Sequence, residues 1–381
     1  MSPVGAAQAH AAALAGLPGM TPSRLARILD GFCPATALTA VRAGAHPADR
    51  NRRFAEDAAR VDVGEVARRH AREGVAVLLP DLPGYPAPLV GDPGAPAVLF
   101  ASGDPGVVDG RPRVAIVGTR SPTPYGCQVA SELARDLSAE GVTVVSGLAH
   151  GIDGAAHAGV VRGSTDGGAP PVAVVGTGLD IVYPPANREL WGQVAARGVV
   201  FSESGLGTKP HPGVFPARNR IIAALSHVVV VVESHHRGGS LYTAEAAARR
   251  SIPVCAVPGS VRSRASDGTN GLLVDGCAPV RDAADVLVAL SLAGAAGFTR
   301  RHGTSAAPAS RCAGRGSATG AVPSLTAAQH AVLQAVEEIP TAFETILVRS
   351  GLSIAATAEA CERLAERGLL AEGAGWWSKR H

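Results

Sequence analysis

A chain of 381 residues that is 46% hydrophobic can bury a large core, and its length suits two or three domains. The formal net charge of only +3 excludes a uniformly basic nucleic-acid binder, so any site for a polyanion must be a local patch. No apolar run is long enough for a membrane-spanning helix, and the Ala-rich start lacks the basic region of a signal peptide. The six cysteines (Cys33, Cys127, Cys255, Cys277, Cys312, Cys361) form no C-x-x-C pair. That spacing points to a reducing, cytoplasmic setting, with neither a zinc site nor a disulfide framework. Almost every cation is Arg; Lys209 and Lys379 are the only lysines, which reads as coding bias. An Arg therefore counts only inside a motif.

Residues 1–65 read as a small helical domain, SAM-like or helix-hairpin-helix-like. Apolar spacing predicts helices over Ala11–Leu17, Pro22–Phe32 and Ala35–Arg42. The turn from Leu17 through Gly19 and Pro22 to Leu25 resembles a helix-hairpin-helix turn, whose N–H groups reach a DNA phosphate. A plain protein-interaction domain is the competing reading. Strands follow at Val75–Leu79 and Ala97–Phe100. From Arg113 the pattern becomes βαβ, with strands at 113–118, 142–146, 172–176, 199–203, 228–233 and 253–257. Helices lie between them, among them Tyr125–Ser138, Asn187–Arg197 and Tyr242–Arg250. Continuous apolar strands belong to a parallel sheet covered on both faces, so residues 66–295 read as an α/β core. Such sheets bind ligands beyond the carboxyl ends of their strands.

Residues 296–322 are rich in Gly, Ser, Ala and Thr, carry Arg300, Arg301, Arg311 and Arg315, and read as a flexible basic linker. In 323–381, helices over Thr326–Glu338, Phe343–Ser350 and Ser353–Arg367 precede a ribbon ending in Trp376-Trp377. That is the winged-helix plan, used for duplex DNA or for protein contacts. The mixture of Glu359, Glu362 and Glu366 with Arg363 and Arg367 favours a protein contact.

Three Gly-rich corners between strand and helix carry the candidate site. Each would offer free backbone N–H groups to phosphate. The first holds Gly118, Thr119, Arg120 and Ser121, with Arg120 placed to pair a phosphate. The second holds Ser146, Gly147 and His150. His150, Asp153 and His157 share a helical face and offer two or three metal ligands, but no further cluster completes a site. Capping, fixing the loop and contacting phosphate are the roles expected of them. The third holds Arg237, Gly238, Gly239 and Ser240, the last as a helix cap. Between the second and third, Phe215, Arg218, Asn219 and Arg220 open a helix. One of the two arginines is expected to face ligand and the other to form an internal salt bridge. Phe215 either stacks on a base or fills the core. Lys209 joins the candidates as a nearby cation, and Thr269 and Asn270 as a further turn on the same sheet edge. No catalytic residue, metal or cofactor is expected.

Taken in order, these segments resemble the DNA-processing protein A family, DprA or Smf. The resemblance runs over roughly residues 80–280, from Tyr85-Pro86 and Val98-Leu99-Phe100 through the first two corners. It continues through Gly176, Gly178, Asp180, Tyr183-Pro184, Asn187, Ser202-Glu203, Phe215 to Arg220, Arg237 to Leu241, Pro258-Gly259 and Gly268 to Asn270, ending at Asp275-Gly276. It implies an extended Rossmann-like core with a mostly parallel sheet, preceded by a small helical domain and followed by a winged-helix-like domain. It further implies binding of single-stranded DNA through backbone phosphates, a homodimer, and loading of the recombinase RecA in natural transformation. Arg120 stands where the family's first corner has its DNA-contacting basic residue. The usual Lys-Ser-Gly-Ser corner is here Arg237-Gly238-Gly239-Ser240, which keeps the charge and loses a hydroxyl. The alternatives are a nucleotide-sensing or scaffolding protein and a phosphoribohydrolase that releases base from a nucleoside monophosphate. The second would use Gly238, Gly239, Thr243 and Glu245, but the motif lacks its Pro and third Gly, and the Thr is displaced by one.

Overall fold

Valine runs build the centre of the molecule. The computed structural model describes residues 4–163, 167–295, 325–336, 341–373 and 376–379. The linker expected at 296–322 lies outside the described residues. The chain divides into two compact units, 1–301 and 302–381.

The first unit opens with helices α1 (Ala6–Ala15), α2 (Pro22–Leu29), α3 (Pro34–Arg42), α4 (Ala55–Arg60) and α5 (Val63–Arg72). Strands β1 (Ala76–Leu78) and β2 (Leu99–Gly103) follow, then β3 (Arg113–Val117), α6 (Pro124–Ala139), β4 (Thr143–Ser146) and α7 (Ile152–Gly163). Next come β5 (Val172–Val175), α8 (Arg188–Arg197), β6 (Val199–Ser202), α9 (Val214–Ala224) and β7 (Val228–Val231). The unit ends with α10 (Leu241–Ala248), β8 (Val254–Ala256), α11 (Asp267–Val274), β9 (Ala278–Pro279) and α12 (Ala283–Leu292). The α/β core with its mostly parallel sheet is therefore as the sequence implied, and the six main strands fall within two residues of their expected bounds.

The sheet has nine strands in the order β1-β2-β6-β5-β4-β3-β7-β8-β9. Strands β6 through β9 in that order are parallel, whereas β2 pairs antiparallel with both β1 and β6. The parallel part starts at β3, runs outward one way to β6, then crosses to β7 on the other side. The gap between the carboxyl ends of β3 and β7 is thus the switch point at which such sheets take ligands.

Side chains alternate across each strand. Val114 and Ile116 pack with α6, α7 and α12, while Ala115 and Val117 pack with α9 and α10. Both faces are covered, which is why these strands are apolar at nearly every position, with Arg113, Thr143, Ser146 and Ser202 at strand ends. Each fully buried Val contributes about 1.5–3 kcal/mol. The N-terminal helices share a hydrophobic cluster with Phe100, Ala173, Val175 and Val200 of the sheet. Helix α6 begins where Thr123 accepts from Gly126 N at 3.2 Å and Pro124 occupies the first turn.

The second unit contains α13 (Ala327–Ala335), β10 (Thr341–Ala342), α14 (Phe343–Ser350), α15 (Ile354–Glu366), β11 (Leu370–Gly373) and β12 (Trp376–Lys379). Its antiparallel sheet runs β10-β12-β11, and its core includes Val332, Ile346, Leu364, Leu370 and Trp377.

Candidate nucleic-acid interface

Gly118 follows β3, and no side chain fits there: a Cβ would stand 2.5 Å from Ile152 Cγ1 and 2.8 Å from the Glu233 carbonyl oxygen. The next N–H, that of Thr119, donates to the same carbonyl at 2.7 Å. It is not free for phosphate, contrary to the expectation for this corner. The Glu233 side chain is 2% exposed, and its carboxylate accepts from Thr123 N at 2.9 Å and Thr123 Oγ1 at 2.6 Å. An internal anion therefore already occupies the positive end of α6. A nucleotide phosphate seated there, as in dinucleotide-binding folds, would meet that carboxylate.

Arg120 escapes this packing. It is exposed and makes no ion pair among the described residues. Its guanidinium lies 4.4 Å from the centroid of the Phe215 ring, which in turn sits 5.6 Å from the Tyr183 ring. Stacking on an aromatic face orients the guanidinium and leaves its edge N–H groups available. Phe215 is half-buried, so it neither fills the core nor stands fully open.

A cavity of about 560 Å³ opens beside this stack. Of the candidate residues, Gly118, Thr119, Arg120, Phe215, Arg218, Asn219, Gly238, Gly239 and Ser240 line it. Gly147 and His150 line an adjoining hollow that shares Arg120, Phe215 and Arg218. Lys209 and Arg237 are exposed cations with no partner among the described residues, outside the cavity lining.

Arg218 is a strut in the cavity floor. It is 4% exposed and donates to Gly147 O at 2.9 Å, to Val174 O, and to Asn219 Oδ1 at 3.0 Å. Its charge faces Asp153 Oδ2 at 3.6 Å. Burial pulls the Arg218 pKa down to about 10. Burial also raises the Asp153 pKa, against the pull of Arg218 and Arg120. Arg220 holds Glu203 through two contacts of 2.7 and 2.6 Å. Both arginines thus form internal pairs, although Arg218 also lines the cavity, where one of the two was expected to face ligand.

Several other candidates make bonds within the protein. Ser146 is fully buried and donates to Ile116 O at 2.6 Å. Thr269 is fully buried and donates to Ser266 O at 3.1 Å. Asn270 fastens Gly259 through bonds of 3.3 and 3.1 Å. Ser121 is exposed, and its N–H donates to Thr119 Oγ1 at 3.2 Å. Ser240 Oγ donates to Ser234 Oγ at 2.9 Å and does not cap α10. The lining also includes Tyr183, His211, His235 and Thr243, which the motif reading did not single out for the site. Tyr183 and Thr243 belong to the Tyr183-Pro184 and Arg237–Glu245 segments, and His211 lies two residues past Lys209.

Among the described residues no group of three His, Cys, Asp or Glu side chains is arranged to hold a metal. His157 is buried, which pushes its pKa down to about 3. Glu245, the carboxylate a phosphoribohydrolase would need, is exposed, pairs with Arg249 at 2.6 Å and does not line the cavity.

Residues 76–291 match the model of the family described as DNA recombination-mediator protein A. The chain belongs to that family. It is 40% identical over 226 residues to Protein Smf of Synechocystis sp., covering 58% of this chain and 55% of the relative. It is 40% identical over 193 residues to DNA processing protein DprA of Streptococcus pneumoniae, covering 51% and 66%. The chain therefore spans only between about half and two thirds of the length of these curated relatives. The X-ray structure of the S. pneumoniae DprA covers 75% of this chain and 98% of its own, with a TM-score of 0.62 and 31% identity. DNA processing protein A from Helicobacter pylori, described for its single-stranded DNA binding mode, covers 57% of this chain and 96% of its own. Its TM-score is 0.50 and its identity 30%.

Proposed function

We propose that this chain binds single-stranded DNA by its backbone phosphates across the carboxyl ends of β3, β4 and β7. The observation that carries the reading is Arg120, without an ion pair among the described residues and held over the Phe215 ring at the mouth of an open cavity. Lys209 and Arg237 add exposed cations in the loops leading out of β6 and β7. Such cations hold phosphates without reading bases, and the Phe215 and Tyr183 rings offer sequence-tolerant stacking. The reported DNA binding of the H. pylori relative supports the same assignment. Each phosphate engaged on a single strand contributes about −0.7 to the slope of log K against log salt, so three cations give roughly −2.

In this reading the protein acts in the cytoplasm as a homodimer, protects the strand and helps load RecA onto it during natural transformation or DNA processing. The second unit serves as a winged-helix-like contact module. No chemistry on the DNA is assigned. The filled α6 terminus and the outward Glu245 weigh against release of base from a nucleoside monophosphate. A length series of labelled oligonucleotides tests the proposal. Affinity should rise with strand length until the track is covered. Affinity independent of length, with free base released from a nucleoside monophosphate, would replace it with the enzyme.

A further inference from the structure

The N-terminal hairpin turn has no part in the site above, yet its charge is one-sided. Residues 17–53 hold Arg24, Arg27, Arg42, Arg50, Arg52 and Arg53 against only Asp30 and Asp49. Asp49 is buried and turned inward, accepting from Arg53 N at 3.0 Å and Phe54 N at 3.1 Å. Arg42 is also committed, donating to Ala58 O at 3.0 Å and Val61 O at 2.8 Å.

Of the remaining five, Arg24 and Arg53 are brought together by the fold. His46 packs on Phe32, just past the end of α2, with ring centroids 4.7 Å apart. At the other end of α2, Arg53 comes back to Gly19, where a Cβ would stand 3.3 Å from Arg53 Nη2. The segment 46–53 therefore runs alongside α2, with Arg53 at the turn and the Arg52 side chain lying against Gly44. Arg24 and Arg27 are three residues apart, on one side of the helix. Arg24 Nη1 donates to Gly19 O at 2.7 Å, so two guanidiniums meet at the turn. Gly19 has φ +73°, and the N–H groups of Gly19 and Thr21 bond to nothing among the described residues.

Coding bias alone does not explain the pattern. The next cations along the chain are matched: Arg60 with Glu56, Arg68 with Glu65, Arg69 with Asp180 and Arg72 with Glu65. By contrast Arg27, Arg50 and Arg52 are exposed and have no partner among the described residues.

We propose that the face formed by α2 and residues 46–53 is a second DNA site, which takes the sugar-phosphate backbone of duplex DNA. Charge sets the ligand class, since repeated guanidiniums fit repeated phosphates. The absence of a fully exposed ring sets the form. Among the described residues of this face Phe54 is buried and Phe32 is half-buried against His46, with no exposed ring like Tyr183 beside the arginines, so unstacked bases find little platform. A duplex, with its bases stacked inward, asks only for phosphate contacts. Such a site would let the protein stay on a duplex flank while the core holds the adjoining single strand.

The test uses the full chain with the double variant Arg27→Glu/Arg50→Glu, chosen because neither side chain holds any part of the fold. Binding of a labelled 20-base-pair duplex and of a labelled single strand is measured over a salt series. The duplex should bind wild type at low salt. The variant should lose at least tenfold in duplex affinity, with the slope of log K against log salt reduced by about 2. Its single-strand affinity should move by less than threefold. Arg120→Ala should show the converse, losing single strand and keeping duplex. No duplex binding by wild type, unchanged duplex affinity in the variant, or a parallel loss of single strand would each overturn the proposal. A failure of Arg120→Ala to affect single strand would count against the core site alone.

Discussion

Removing the Arg120 guanidinium separates a phosphate contact from mere surface charge. In the free protein the group has no carboxylate partner and rests 4.4 Å over Phe215. That stacking orients the group before it meets a phosphate. What Arg120→Ala removes is one charge-assisted hydrogen bond to phosphate, about 1–3 kcal/mol for a group at the rim of a cavity. The expected loss is therefore roughly 5- to 150-fold in Kd. The salt slope should fall by about 0.7, one phosphate's share on a single strand. Thermal stability should not change, because the side chain is exposed and packs only on one ring face. Phe215→Leu probes the other half of the pair. It keeps the charge and frees the guanidinium, whose ordering on binding then costs about 0.5–1.5 kcal/mol. Affinity should drop roughly 2- to 12-fold with the salt slope unchanged. Fluorescence anisotropy of a labelled oligonucleotide over a salt series reads both quantities. Affinity within twofold of wild type for Arg120→Ala, at an unchanged slope, would show that Arg120 is off the DNA path.

Arg237→Ala should weaken the single strand by about 1–3 kcal/mol in the same assay, again without loss of stability, because this cation too is exposed and unpaired. Arg218→Ala should behave oppositely. It strands the Asp153 carboxylate in the floor and should cost about 3–5 kcal/mol in urea denaturation; a loss under 1 kcal/mol would remove its role as a strut. His157 predicts a pH effect. Its pKa is about 3 when folded against an ordinary 6.5, so unfolding takes up a proton below pH 6.5. Its contribution to stability is complete above that pH and is lost progressively as pH falls toward 3. Between pH 7 and 5.5 wild type should lose about 1 kcal/mol more than His157→Gln. Equal losses in the two proteins would mean that the ring is not buried neutral.

The sheet was legible because parallel strands covered on both faces must be apolar throughout, and the Val228–Val231 run has no other economical reading. The corners were legible because Gly118 and Gly147 stand where backbone or guanidinium leaves no room for a Cβ. The roles of individual polar groups were not. Glu233 and Thr123 are 110 positions apart, and nothing local says that the carboxylate of one fills the helix end begun by the other. Arg120 and Arg218 look alike in sequence, and only burial separates a free cation from a strut. Ser240 follows two glycines as a cap would, but its own backbone is already helical, so its hydroxyl is not aimed at the α10 N–H groups and donates to Ser234 instead. The start of α1 was placed late because Ala at nearly every position blurs the periodicity that marks a helix face.

The most direct test of the central claim is the affinity of the intact chain for a labelled single strand against a matched duplex, at low and at moderate salt. Tighter binding of the single strand, weakening steeply with salt, is the expected result. No binding to the single strand, or binding indifferent to salt, would contradict a phosphate track at the carboxyl ends of β3, β4 and β7.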